Sequence, residues 1–200
     1  MTTFPLMPIA AQPTFVKGAL TYRASTFGSI NCGNPSEDRW VIVAVTQMSG
    51  SGILTYPAPT IGGVAMTQIV QDYSSAYDDG HRLAVWAKKV TTGTSVTITS
   101  TISPAPSHIN VYTLTGVRNP ISSVVLTTTN TLAQPVGSCA IGCYVTNGGS
   151  ITSVSGMTFP TSTTTSGIGY DMQTATNPIT YTEVISRIVL RRITSWAFDY

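Results

Sequence analysis

The sequence predicts an all-β chain: an antiparallel β-sandwich, jelly-roll or Ig-like, with extended N- and C-terminal arms. Three observations lead there. Nearly every apolar segment alternates with period two and is rich in Thr, Val, Ile and Tyr. Gly, Pro or Asn separates each segment from the next. No stretch carries the apolar period of an amphipathic helix. Many short strands between turn residues are the pattern of a sandwich or a barrel. Charged residues make up only 9% of the 200 residues, and Ser and Thr take the polar positions. With 42% hydrophobic residues, this is the reverse of the balance that keeps a chain disordered.

The elements follow in order. Thr14 to Tyr22 opens the series. Arg39 to Gln47, "RWVIVAVTQ", is apolar on both faces, with Val41, Val43 and Val45 on one and Trp40, Ile42 and Ala44 on the other. Such a strand belongs in the middle of a sheet covered on both sides. Val64 to Asp72 and Arg82 to Val90 come next, then Thr94 to Thr101, in which Val96 and Ile98 face in. His108 to Thr115 and Ser122 to Thr128 follow. Ser138 to Thr146 and Ile151 to Thr158 flank "NGG", Asn147 to Gly149, a strong hairpin signal, and "TTGT" at 91–94 reads as a second hairpin turn. Phe159 to Gly167, "FPTSTTTSG", reads as a surface loop, and Glu183 to Ile193 as the last long strand. No internal repeat is evident. The division is therefore an apolar N-terminal arm over 1–13, one sandwich domain over 14–193 and an aromatic C-terminal tail over 194–200.

Candidate chemistry is sparse. "DDGH" places Asp78 and Asp79 beside His81, one of two histidines, but it falls between two strands where a turn is needed. Acid–base pairs need carboxylates held in different environments, which neighbours on a turn do not provide. Cys139 and Cys143 would share a strand face with Ile141 and Val145, about 13 Å apart, beyond disulfide reach. With Cys32 they read as buried free thiols, so no metal or other cofactor is expected. Glu37 and Glu183, the only glutamates, belong to distant segments. No Gly-x-Ser-x-Gly elbow, phosphate loop or dinucleotide fingerprint occurs, and an enzyme is not expected. Arg187, Arg191 and Arg192 form a basic stripe without interleaved aromatic rings, and the net charge is +2. A nucleic-acid partner is not expected from either. No charged n-region precedes the apolar start, and no run is long enough to span a membrane, so neither a leader nor a membrane partner is expected.

The ends are more informative. Phe4, Leu6, Met7 and Ile9 form an apolar, proline-stiffened start, and Trp196, Phe198 and Tyr200 stand at period two. Each large apolar side chain gains ~1.5–3 kcal/mol on burial, so these seven residues are the candidate partner interface. A second reading, a carbohydrate-binding module, would stack glycan rings on Tyr73, Tyr77, Trp86 and Tyr112.

Four pieces carry a resemblance: "DRWVIVAV" (Asp38–Val45), "TIGGVAMT" (Thr60–Thr67), "RLAVWAKKVTTGTSVTITST" (Arg82–Thr101) and "INVYTLTGV" (Ile109–Val117). In this order they resemble the β-sandwich proteins encoded among the virion genes of tailed bacteriophages and prophages. The resemblance spans residues 38–117 and is one of strand and turn residues, without a catalytic motif. It implies a structural protein of the virion, assembled in the host cytoplasm and acting through contacts with other virion proteins and with copies of itself. A capsid decoration or head spike, or a tail or fibre-attachment component, fits this expectation. A host glycan is the alternative ligand.

Overall fold

The computed structural model describes residues 19–47, 56–74, 81–103, 105–117, 123–125, 131–132, 138–146, 150–162, 166–172, 179–184 and 189–197. The described residues form antiparallel sheets packed against each other, with strands and no helix. The N-terminal arm, the "DDG" and "NGG" segments, Tyr77, Arg187, Phe198 and Tyr200 lie outside the described residues.

The first nine strands are β1 (Ala19–Ala24), β2 (Gly28–Asn31), β3 (Trp40–Gln47), β4 (Thr60–Ile61), β5 (Val64–Ala65), β6 (Thr67–Ser74), β7 (His81–Lys89), β8 (Ser95–Thr99) and β9 (His108–Thr115). Their pairing is nested: β1 with β9, β2 with β8, β3 with β7, and β4 with β5. One long hairpin has been rolled up from its tip. At that tip Ile61 pairs with Val64 across Gly62 and Gly63, at φ 60° and 74°. Positive φ at both central residues is what a two-residue type I′ turn demands, and glycine meets it without strain. Rolling yields two sheets, β1-β9-β3-β7-β6 and β2-β8-β4-β5. This is the strand order of a jelly roll.

The remaining strands repeat the plan. They are β10 (Ser123–Val125), β11 (Thr131–Leu132), β12 (Ser138–Thr146), β13 (Ser150–Ser155), β14 (Thr158–Ser162), β15 (Ser166–Met172), β16 (Ile179–Val184) and β17 (Val189–Ala197). Their sheets run β10-β17-β12-β15-β14 and β11-β16-β13. Each described pairing of the first half except β4–β5 has its counterpart: β10–β17, β11–β16, β12–β15, β12–β17, β13–β16 and β14–β15. Even an irregularity recurs, since the register shifts within β6–β7 and again within β14–β15. The strand order of one jelly roll thus recurs in tandem, and the expectation of no internal repeat is corrected.

The sheet containing β3 is the middle layer. Val41, Val43, Val45, Ala84 and Trp86 pack against Ile30, Ile61 and Ile98 of the four-stranded sheet. From the other face Ile42, Ala44, Leu83, Val85 and Leu114 pack against Cys139, Ile141, Cys143 and Ile168 of the second jelly roll. The strand expected to be central and covered twice is β3. The equivalent β12 is buried along its whole length.

Several expectations are corrected by where strands pair. The segment expected as one strand from Val64 breaks at Met66: β5 edges the four-stranded sheet and β6 the five-stranded one. The strands flanking 91–94 lie in different sheets, as do those flanking Asn147–Gly149, so neither is a hairpin. Turn residues reverse the chain, but they do not choose the partner. The expected loop from Phe159 instead contains β14 and the start of β15. His81, the last residue of "DDGH", opens β7 opposite Ser74 of β6, and the turn expected over Asp78–Gly80 lies outside the described residues.

In the second roll the Tyr144 ring lies over Gly167, its cross-strand partner. A Cβ on Gly167 would meet the Tyr144 ring and hydroxyl at 2.9 Å and the Ser162 Cβ at 2.8 Å. Gly167→Ala is expected to destabilise by about 1–3 kcal/mol, read as a lower urea midpoint with an unchanged m-value. An unchanged midpoint would show that the ring moves aside freely.

Candidate functional site

Among the described residues, Arg39 and Arg82 are buried cations, and Lys88 is half-buried. Arg39 ends the turn before β3 and is buried. Its Nε donates to the Val90 carbonyl at 2.8 Å, Nη1 to Gly33 and Asn34 at 2.8 and 2.9 Å, and Nη2 to Thr92 and Gly93 at 2.7 and 2.8 Å. All five guanidinium N–H groups are thereby used on backbone oxygens. The Val90 amide returns a bond to the Arg39 carbonyl at 2.9 Å. The loop after β2 and the loop between β7 and β8 are tied to the head of the central strand through one side chain.

Asp38 extends this knot. Its carboxylate accepts from the Ser36 hydroxyl and, at 2.5 Å, from the Gly116 amide just beyond β9. Burial works against its ionisation, but the Ser36 and Gly116 hydrogen bonds, its own amide and Lys89 outweigh it and hold the carboxyl below the usual range. Lys88 spans the two sheets of the first roll, donating from Nζ to the Ile61 and Val64 carbonyls at 2.8 and 3.1 Å on either side of the Gly62–Gly63 turn.

At the other end of the same core, Arg82 lies between two rings, its guanidinium carbon 5.7 Å from the Tyr56 centroid and 5.5 Å from that of Tyr73. The Tyr56 hydroxyl donates to Gln47, which stands opposite Arg82 on β3. Burial pushes the Tyr56 phenol up, against the pull of Arg82. Cation–π contact of this kind substitutes for part of the lost hydration of a buried guanidinium.

The seam between the rolls carries a polar row inside an apolar contact. Asn110 donates to the Tyr112 hydroxyl at 2.9 Å and across the seam to the Ile168 carbonyl at 3.0 Å. Tyr112 is flanked edge-on by Tyr22 and Tyr170 at 5.9 and 5.4 Å. Cys139 and Cys143 face this seam and Cys32 the other core; all three are free and buried, and burial pushes Cys143 up to about 12. Among the described residues, no cluster of three or more His, Cys, Asp or Glu is placed to hold a metal ion.

The glycan-stacking candidates are corrected on two counts. Trp86 and Tyr112 are each 0% exposed, core residues of opposite faces of the middle sheet, so neither ring can meet a sugar. Tyr73 is half-buried with its ring over Arg82, and Tyr77 lies outside the described residues. Of the terminal candidates, the Trp196 backbone pairs with Cys139 in β17, which runs on to Ala197, while Phe4, Leu6, Met7, Ile9, Phe198 and Tyr200 lie outside the described residues. Sequence reasoning missed Arg39 as a knot. The available signal was an arginine set directly between a turn and a run of buried strand residues, a position that solvates a charge only through backbone carbonyls.

Two measurements check the knot. Arg39→Lys keeps the charge but cannot reach five oxygens, and a loss of about 2–4 kcal/mol in denaturant unfolding is expected. For Asp38→Asn the deficit against the parent should be full at pH 7. It should shrink as the pH falls through the depressed native value, because a carboxyl lowered in the native state stabilises only while ionised. A deficit independent of pH down to acid unfolding would remove the ionic role.

A scan against protein-family models finds no match to this chain, and searches of curated proteins and of solved structures find none either.

Proposed function

We propose that this protein is a non-enzymatic structural component of a bacteriophage virion that works by protein–protein assembly. The position intended is a capsid decoration or head spike, or a tail or fibre attachment, in contact with other virion proteins and with copies of itself. The observation that carries the reading is the tandem jelly roll stacked through its five-stranded sheets. Jelly rolls recur in viral capsid domains, and the support is by analogy of fold. The disposition of charge agrees with it. Arg39, Lys88 and Asp38 serve the protein's own loops. The outer side of the four-stranded sheet instead presents Ser29, Asn31, Ser95, Thr97 and Thr99, all exposed and uncharged. A hydroxyl-bearing surface of this kind lets copies pack without mutual repulsion. Jelly rolls also occur as lectins, but the burial of Trp86 and Tyr112 takes two of the four rings from the glycan-binding reading.

The test is assembly. Full-length chain is expected to exceed monomer mass in light scattering, to shift towards monomer when residues 1–13 are deleted, and to be found by mass spectrometry in purified phage particles of the encoding strain. A monomer indifferent to the deletion and missing from such particles would overturn the proposal.

A further inference from the structure

The row His108, Asn110, Tyr112 on β9 faces the second jelly roll, and its first member is poorly solvated. The His108 Nε2 is buried without a hydrogen-bond partner. So is Oγ1 of Thr46, the residue paired with it across β3 and β9. The imidazole's other polar contact is the Ser166 backbone on β15, across the seam. The ring is thus held by both jelly rolls, and among the described residues no acceptor lies within hydrogen-bond reach of Nε2.

The groups around it offer little compensation for a charge. On the same sheet face, Asp72, Leu83, Thr46 and His108 form one row over β6, β7, β3 and β9. Asp72 is thereby three strand spacings away, roughly 14 Å. His81 on β7 occupies the next position along that face and has its own partner. From β1 comes Tyr22, from β12 Cys139 and Cys143, and from β15 Tyr170. Asp171 stands at the register position of Ala140, and Arg192 at that of Cys143. The segment of β14, "TFPTS", contains no titratable residue.

We propose that the seam between the two jelly rolls is a proton-operated joint, in which protonation of His108 weakens the docking of the two five-stranded sheets and opens the seam while the inner core of the first roll stays closed. Burial lowers the histidine below its ordinary value, against the Ser166 contact that raises it. A histidine depressed in the docked state favours docking above its free value of about 6.5, and that contribution is lost as the pH falls through the docked value. With two histidines in the chain, and Cys32 and Cys143 both raised by burial, proton uptake between about pH 7 and 5 falls on few groups.

The cysteines are ready-made reporters, because Cys139 and Cys143 lie in the seam and Cys32 in the other core. The full chain is treated with a pyridyl disulfide, which still exchanges with thiols in mild acid, and labelled sites are mapped by mass spectrometry at steps from about pH 7 to 5. Labelling of Cys139 and Cys143 relative to Cys32 is expected to rise by up to about tenfold per pH unit in the parent and in His81→Gln, and to stay flat in His108→Gln. No rise in the parent, or an equal rise in His108→Gln, overturns the proposal. Should His108→Gln fail to fold, NMR titration of the parent imidazoles decides instead. A His108 midpoint below that of a free imidazole supports the joint, and one at or above it overturns it.

Discussion

The middle sheet buries Val41, Val43 and Val45 on one side and Ile42 and Ala44 on the other, and most of the architecture follows from having to keep both sides dry. One jelly roll covers only the first set, by folding its own four-stranded sheet over it. Left alone, the first roll would expose Leu83, Val85, Leu114 and the rest of that face to water, each large side chain losing ~1.5–3 kcal/mol of burial. The second roll is the cover, and it presents the equivalent five-stranded sheet to do so. The two halves are thus bound by the same force that forms each of them. The seam is as much a core as the interior of the first roll.

Such a structure has to close its loops with few charges, and Arg39 and Lys88 do that work. Arg39 gathers carbonyls from Gly33, Asn34, Val90, Thr92 and Gly93, oxygens that loop geometry leaves without strand partners. A buried guanidinium would be costly alone, and five loop carbonyls satisfy it. Lys88 does the same on a smaller scale beside the Gly62–Gly63 tip. This use of charge leaves hydroxyls to face solvent on the four-stranded sheet. It links the composition of the chain to the assembly role proposed for it.

The seam is not wholly greasy. Asn110 bridges to the Ile168 carbonyl, and the rings of Tyr22, Tyr112 and Tyr170 meet edge to face around it. A hydrogen bond across an apolar contact specifies one docking register where packing alone would tolerate sliding. His108 belongs to the same row with its Nε2 unpartnered, so the feature that specifies docking also makes it sensitive to conditions.

How far the sequence could be read depended on whether the signal was local. Period two and the unbroken apolar run identified β3 as a strand covered on both faces, and gave β12 one core face where the structure buries both. They also placed Ile98 inward and the three cysteines in cores, because burial of alternate residues is written into the segment itself. Partner choice was not written there. The Asn-Gly and Thr-Gly segments promised hairpins, yet the chain crosses between sheets at both, since a turn sets a reversal and long-range pairing sets the neighbour. At Gly62–Gly63 the local signal and the pairing agree, since the strands flanking the two glycines are partners. The repeat was hidden because it resides in backbone hydrogen bonds, which carry the same topology with unrelated side chains such as "RWVIVAVTQ" and "SCAIGCYVT". Trp86 and Tyr112 could be known as aromatic strand residues, but only the stacking of three sheets decided that both their faces are closed. The sequence by itself determined the class of fold and its apolar faces; which faces meet, and therefore which polar groups are buried at the seam, was decided by contacts between residues far apart in the chain.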